Sequence, residues 1–407
     1  MSNVRADIKQ IRNSIIRGVS CQYLPLLLIG LFESQLESTP GIEALVSILG
    51  LIAFVFFCYG YVVCAVAADE YAAYKGYRNF CFIYSILNIF GLSLLFLLKN
   101  KNLNKYHNTN EDPLEKFSIA SIFTSYLAIP LVIMPLYYIP GLIIMGSEFV
   151  EYTKSDWDFK AFTNFIMLIP FVWYFFGEMK NVNLDRKTIF GSSKKLVWKL
   201  PIGLAVLKYF FNGGINAITL YSLSFIAPSY VENQINKEYA TSLYGWILFA
   251  FSALIYAPIM EELFFRGIIF QKLAIKKSIA TGLLISAILF AAIHFRFDFI
   301  PLCLSGVITA ILYFKTKQLA APIIYHFAYN LMVVLKRLYD WLFPDPSLPA
   351  QATVLELQQH VIDNLGTYAL YLVVTVPYLV YFVYKNFPRN SEINKLPYYA
   401  NQPAANN

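Results

Sequence analysis

The stretch that decides the fold runs from Tyr239 to Lys272 and reads YATSLYGWILFAFSALIYAPIMEELFFRGIIFQK. A helix needs about 20 apolar residues to cross the bilayer's hydrocarbon core. This stretch is long enough, yet it carries Glu261, Glu262 and Arg266 among apolar neighbours. It therefore predicts a membrane-spanning helix with ionisable groups inside it.

Similar apolar stretches recur along the whole chain. The 407 residues are 58% hydrophobic and 14% charged, whereas a soluble domain has about 25% charged residues. The other long stretches without an acidic or basic residue cover 44–68, 80–98, 117–147, 209–231 and 364–384, with shorter ones at 161–177, 278–293, 299–314 and 318–334. We therefore predict an all-α, polytopic transmembrane bundle of about 8 to 10 helices.

The net charge of +7 could indicate a nucleic-acid or a lipid partner. The basic residues collect in short loops beside apolar stretches, which favours lipid head groups and topology over nucleic acid. By the positive-inside rule these loops face the cytoplasm. We expect a multi-pass protein of a prokaryotic cell membrane with a cytoplasmic N-terminus, in contact with the lipid bilayer and with no nucleic-acid partner.

Charge and composition also divide the chain. We expect five regions, which are a cytoplasmic or interfacial N-terminal segment (1–41), transmembrane helices of unassigned role (42–231), a chemically active core (239–340), an outer loop with the last transmembrane helix (341–387) and a polar, disordered tail (388–407). The basic start and the apolar residues after it resemble a signal peptide, but no small-residue cleavage site follows. The five cysteines lack metal-ligand spacing and fit small core residues.

Charges inside a membrane helix cost at least about 2.5 to 3.5 kcal/mol each and are mostly kept for pairing or for function. In one continuous helix, Glu262 and Arg266 stand at i and i+4, where a carboxylate and a guanidinium can pair. Glu261 then points about 100° away from that face. It is left for a different task.

Two further motifs follow within the same region. His294 ends the sequence Phe290-Ala-Ala-Ile-His294, and His326 stands four residues before Asn330. Measured from the basic helix ends at about 1.5 Å per residue, Glu261 lies about 16 Å deep, His326 about 14 Å and His294 about 25 Å. With helix tilts of about 20° these groups could converge below the cytoplasmic face, with His294 needing the largest adjustment.

These residue types suit amide hydrolysis. A carboxylate in apolar surroundings can act as a general base, so Glu261 with His294 would activate a water molecule. His326 and Asn330 can both donate hydrogen bonds and suit an oxyanion hole. Arg266 paired with Glu262 would position the second carboxylate and balance its charge.

The same residues resemble a known family, the CAAX prenyl endopeptidase type II, or CPBP (ABI), intramembrane proteases. The family pattern is E-E-x-x-x-R, then F-x-x-x-H, then H-x-x-x-N, and this chain is similar to it over residues 240 to 340 without a departure. The resemblance implies a helical membrane core with a lipid-bounded site open to the cytoplasm. It also implies that Glu261 and His294 activate water and that His326 and Asn330 bind the oxyanion, with Glu262 and Arg266 completing the catalytic set.

Two other classes of function stay open at this stage. Two histidines and two glutamates could bind zinc in a membrane metallopeptidase, although the H-E-x-x-H signature is absent. A non-catalytic scaffold, an immunity or regulatory protein, or an ion-coupled transporter could also carry buried charges. We expect no cofactor and no metal, and as partner a membrane-associated peptide or protein substrate, whether lipidated or not.

Overall fold

The structure, a computed structural model, is helical throughout the residues that it describes. These are residues 2–33, 40–77, 88–98, 112–146, 148–149, 152–153, 156–191, 196–236, 240–294, 296–343, 352–388 and 393–402. No β-strand occurs among them. The fold class predicted from the sequence is confirmed.

The helices follow one another along the chain with short connections. They are α1 (Ser2–Glu33), α2 (Pro40–Lys75), α3 (Asn88–Leu97), α4 (Pro113–Lys116), α5 (Ile119–Met145), α6 (Trp157–Asn181), α7 (Arg186–Phe190), α8 (Lys199–Leu223), α9 (Pro228–Ile235), α10 (Leu243–Lys276), α11 (Ile279–Ala292), α12 (Phe299–Thr316), α13 (Ala320–Leu342), α14 (Val354–Asp363), α15 (Leu365–Asn386) and α16 (Pro397–Ala400).

Five helical segments within the described residues are long and apolar enough to cross a membrane. They are Ile52–Ala72 in α2, then α6, α10, α12 and α15. The expected number of 8 to 10 is higher, because some of the apolar stretches form shorter helices, such as the 14 residues of α11. Residues 80–87 of one expected stretch lie outside the described residues. The chain is an integral membrane protein.

The helices divide into two compact units. The first comprises Met1–Ser147 with Trp173–Phe175. In it α1 packs along α2, and α3 packs against α2 and α5. The N-terminal segment that the sequence suggested as cytoplasmic or interfacial thus contains a long helix with a packed face.

The second unit comprises Glu148–Val172 with Phe176–Asn407 and contains all the candidate catalytic residues. Helices α8, α12, α13 and α15 supply its core. The buried members are Leu204, Ala205, Phe211, Ile308, Leu312, Ala321, Tyr325 and Leu379. This core holds α13, which carries His326 and Asn330, against the rest of the unit.

Two glycines allow α11 to lie close to its neighbours. A Cβ atom on Gly282 would come within 2.6 Å of the Phe270 carbonyl oxygen in α10. A Cβ atom on Gly306 of α12 would come within 2.7 Å of Ala287 Cα in α11. Small residues permit such backbone approach between membrane helices. The helix that ends near His294 is thereby held close to the helix that carries Glu261.

The polar tail is partly ordered, so the prediction that residues 388–407 are disordered does not hold for 393–402. A short 3₁₀ helix, Ile393–Lys395, precedes α16, and Leu396 and Tyr398 are buried. The backbone N–H of Tyr398 donates to Gln271 Oε1 at 2.5 Å, near the end of α10. These two apolar anchors are too few to outweigh the polar composition in a reading of the sequence. Residues 389–392 and 403–407 lie outside the described residues.

Candidate active site

Helix α10 begins at a capped end and is interrupted twice before it ends. The Ser242 hydroxyl accepts a hydrogen bond from the Gly245 N–H at 3.1 Å, which satisfies one of the free donors of the first turn. Two π-helical segments, Ser252–Tyr256 and Leu263–Phe270, flank the Glu261-Glu262 pair. Such segments are frequent at functional sites because they re-aim the side chains around them.

Pro258 explains the first π segment and gives Asn330 a defined partner. The Ala257 N–H donates to the Ser252 carbonyl, so it is not available to the Ala253 carbonyl. The next candidate donor, Pro258, has no N–H. Asn330 Nδ2 donates to the Ala253 oxygen instead, at 2.7 Å. Asn330 thus ties α13 to the irregular part of α10.

Glu262 is the buried anion of the site. Its Oε2 lies 3.1 Å from Arg266 Nε, and the exposed fractions of the two side chains are 1% and 0%. Its Oε1 lies 3.0 Å from His326 Nδ1. The Arg266 guanidinium also stands 4.3 Å from the centre of the Phe290 ring, a cation–π contact. One carboxylate therefore binds a cation from its own helix and an imidazole from α13.

His294 lies just beyond the end of α11, where carbonyl groups lack helical donors. Its Nδ1 is 2.7 Å from the Phe290 carbonyl oxygen, which can only accept. Nδ1 therefore carries the proton, and Nε2 of the neutral ring is an acceptor. This Nε2 atom lies 3.9 Å from Glu261 Oε2.

Glu261 faces both imidazole rings. Its Oε2 is 4.0 Å from His326 Nε2, almost the same separation as from His294 Nε2. This oxygen is buried and accepts no hydrogen bond from the described residues. The separations are too long for direct hydrogen bonds, but a water molecule about 2.8 Å from each of two such atoms fits at the apex of a triangle.

The site opens into a cavity of about 770 Å³. The cavity reaches from Glu261 and His294 to Lys208 on α8, Asp298 before α12 and Tyr368 on α15. Substrate-sized pockets in proteins have volumes of about 300 to 1,000 Å³. The space is large enough for several residues of a peptide.

The structure brings together the side chains that the sequence placed on three separate motifs. Glu261, Glu262, Arg266, His294, His326 and Asn330 all line the same cavity. His294, which the depth estimate placed farthest from the others, reaches Glu261 because it lies past the end of a short helix. The separate tasks expected for Glu261 and Glu262 agree with their contacts, since only Glu262 pairs with Arg266.

Sequence reasoning missed three polar residues of the cavity on α8. Lys208, Asn212 and Asn216 line it beside the catalytic candidates. Their spacing of four residues within an apolar helix is a signal that could have found them, but the apolar stretch was read as starting at Tyr209, which left Lys208 outside it. A residue at the edge of an apolar stretch is easily taken for a solvated flank.

The described residues offer no evident metal site. They contain no group of three or more His, Cys, Asp or Glu side chains placed to hold a metal ion. Zinc sites in enzymes use three protein ligands at about 2.0 to 2.3 Å. Here the Nδ1 atoms of His294 and His326 already contact the Phe290 carbonyl and Glu262.

Comparisons with known proteins agree with the motifs. Residues 243–332 match the family described as type II CAAX prenyl endopeptidase, Rce1-like. The membrane-embedded CAAX protease MroQ of Staphylococcus aureus (strain USA300) is 28% identical over 219 residues, which cover 50% of this chain and 85% of that protein. No solved structure matches the chain.

The matched region begins with α10 and ends within α13, so it contains every candidate catalytic residue of the second unit. The first unit and α8 lie outside it. The motifs, the helical membrane fold and the two comparisons agree, and the chain belongs to the CPBP family of type II CAAX prenyl endopeptidases.

Proposed function

We propose that the protein is a CAAX-type intramembrane endopeptidase that hydrolyses a peptide bond with water activated by Glu261 and His294. The observation that carries this proposal is the position of Glu261 Oε2. It is buried, accepts no hydrogen bond from the described residues, and faces two imidazole nitrogens at 3.9 and 4.0 Å.

In the proposed first step, a water molecule lies between Glu261 and His294. The water oxygen attacks the substrate carbonyl carbon while Glu261 takes one of its protons, and His294 Nε2 accepts a hydrogen bond from the other. The carbonyl oxygen becomes an oxyanion. Glu261 then gives its proton to the leaving amine, and the C–N bond breaks.

His326 supports the oxyanion role when its ring carries both protons. Its Nδ1 is occupied by Glu262, so Nε2 can donate only from the imidazolium form. The Glu262 carboxylate then balances that charge. With His326 protonated, two carboxylates, one guanidinium and one imidazolium sum to zero, which suits a site of low dielectric. Asn330 keeps a second amide hydrogen beyond its bond to Ala253.

Glu262 and Arg266 act as positioning residues in this scheme. Glu262 orients His326 through Nδ1, and Arg266 holds Glu262 in place. Such support around a catalytic imidazole fixes its tautomer and its direction.

The substrate belongs to the same proposal. A membrane-associated peptide or protein, whether lipidated or not, fits a cavity whose walls are membrane helices, and the lipid bilayer would bring it to the site. The relative in Staphylococcus aureus, named as a membrane-embedded CAAX protease, supports a proteolytic role and a prokaryotic cell membrane.

The membrane orientation is also proposed, with the N-terminus and the lysine-bearing helix ends in the cytoplasm. Glu261 is then about 16 Å from Lys272 along α10, near the middle of a core about 30 Å thick. The cavity extends from there towards Asp298 and Asp340, at the opposite helix ends.

A Lys276→Cys variant should react with a membrane-impermeant maleimide only after intact cells are permeabilised, if this orientation is right. Asp340→Cys should react without permeabilisation, since the two positions lie at opposite ends of the helices. Both would be made in a chain whose native cysteines are serine. The reverse labelling pattern would overturn the orientation but not the chemistry.

Glu261→Gln should lower peptide cleavage by at least about 100-fold, because a proton acceptor is lost. Its thermal unfolding temperature in detergent should stay near that of the wild type, since the side chain is 26% exposed and makes no hydrogen bond to described residues. Cleavage of a tryptic peptide library by the purified chain, read by mass spectrometry, measures the activity.

Glu232→Gln, an exposed carboxylate on α9, serves as the matched control and should leave cleavage unchanged. If Glu261→Gln cleaves as well as the wild type, the peptidase proposal fails. A non-catalytic membrane role then remains.

Arg266→Met should destabilise the chain by about 3 to 5 kcal/mol, because it leaves a buried carboxylate without its cation. The double variant Glu262→Gln/Arg266→Met should regain much of that loss without regaining activity, since His326 still lacks its anion. Thermal unfolding in detergent measures the first effect and library cleavage the second.

The exposed i, i+4 pair of Lys336 and Asp340 on α13 provides the matched control. Lys336→Met should change stability by no more than about 1 kcal/mol. A double variant with full activity would show that Glu262 does not position His326.

Exhaustive chelation should leave the activity unchanged, because the proposed mechanism uses Glu261 and His294 rather than a metal to activate water. The measurement is library cleavage after treatment with EDTA and 1,10-phenanthroline, followed by addition of zinc. Loss of activity on chelation and its return with zinc would favour the metallopeptidase instead.

A further inference from the structure

Helix α8 presents a polar stripe to the active-site cavity. Lys208, Asn212 and Asn216 follow one another at intervals of four residues, which places them on one face of the helix, and all three line the cavity that contains Glu261. No step of the proposed hydrolysis uses them. They lie outside the region that matches the family.

Lys208 is the unusual member, since its side chain is 1% exposed. A buried lysine is rare unless it is paired. The nearest described group is the Tyr329 ring, whose centre lies 4.0 Å from Nζ. No hydrogen bond or ion pair to Nζ is found among the described residues.

Asp298 is the natural candidate for a partner but is engaged elsewhere. Its carboxylate lies 2.9 Å from Arg296, and no ion pair within 4.0 Å joins it to Lys208 among the described residues. A cation–π contact alone stabilises a cation by about 2 kcal/mol, whereas removing an ammonium group from water costs several kcal/mol. The Lys208 ammonium therefore lacks a full partner inside the protein.

The two asparagines of the stripe offer acceptors instead. Asn212 Nδ2 donates to the Tyr329 hydroxyl at 2.5 Å. The side-chain oxygens of Asn212 and Asn216 are buried and accept no hydrogen bond from the described residues. Peptide N–H groups are the donors that such oxygens bind, so the stripe is complementary to an extended peptide followed by an anion.

Tyr329 relates the stripe to the catalytic residues. It stands three residues after His326 on α13, about one helical turn away. An extended peptide covers about 3.3 to 3.6 Å per residue. An anion that binds Lys208 would thus lie within about four residues of the bond to be cleaved.

We infer that Lys208 binds a carboxylate of the substrate peptide within about four residues of the scissile bond, while Asn212 and Asn216 accept hydrogen bonds from its backbone. The carboxylate belongs either to an acidic side chain or to the C-terminus of the peptide. This inference rests on the proposed peptidase function and adds a preference for acidic or C-terminal segments.

The test compares two forms of one library with the purified full-length chain in lipid nanodiscs. A tryptic proteome library is used with free carboxylates or after conversion of all its carboxylates to methylamides. The wild type should cleave the free form at least about tenfold faster, the effect of a charge-assisted hydrogen bond. Lys208→Met should bring this ratio close to one, and Lys208→Arg should keep most of it.

Lys199→Met serves as the control, since Lys199 is an exposed lysine on the same helix, and it should keep the wild-type ratio. Sequencing the products separates the two sources of the carboxylate. Cleavage at a constant distance from the C-terminus indicates the terminal carboxylate, and cleavage at a constant distance from Asp or Glu indicates a side chain.

The outcomes separate this inference from the function beneath it. A wild type that cleaves both forms equally, or a Lys208→Met variant that keeps the ratio, overturns the role of Lys208 and leaves the peptidase standing. If neither form is cleaved faster by the wild type than by Glu261→Gln, the proposed function fails and the inference falls with it.

Discussion

The site depends on the Glu262 carboxylate, which is shared between Arg266 and His326. Buried charges are costly unless they are paired in good geometry, and here one anion lies about 3 Å from a guanidinium on one side and an imidazole on the other. The pair thus links α10 to α13. Because Glu262 is occupied in this way, its neighbour Glu261 is left to face the cavity and both histidines.

The irregular backbone of α10 serves the same arrangement. Pro258 removes a donor, and the Ala253 carbonyl is satisfied by Asn330 rather than by its own helix. Asn330 therefore has a structural task that motif spacing did not reveal, in addition to the oxyanion contact proposed for it. Membrane helices tolerate such breaks where a neighbouring helix supplies the missing hydrogen bond.

The chemistry and the recognition of the substrate are supplied by different parts of the chain. The residues proposed for hydrolysis lie on α10, α13 and the end of α11, within the region that matches the family. The wall opposite them includes α8, with its buried lysine and two asparagines. A conserved type of reaction can be combined with a different peptide preference in this way, since the wall can change without disturbing the carboxylate–imidazole cluster.

The sequence by itself determined the membrane character, the helical class and the pairing of Glu262 with Arg266, because apolar length and i, i+4 spacing act within a single helix. It also placed Glu261, His294, His326 and Asn330 in one family pattern. Only the tertiary structure decided which imidazole faces which carboxylate, that Asn330 binds a backbone carbonyl, that Lys208 faces the cavity, and that Tyr398 anchors part of the tail. These contacts join different helices, and their geometry depends on helix ends, π segments and close packing at Gly282 and Gly306, which local periodicity does not encode.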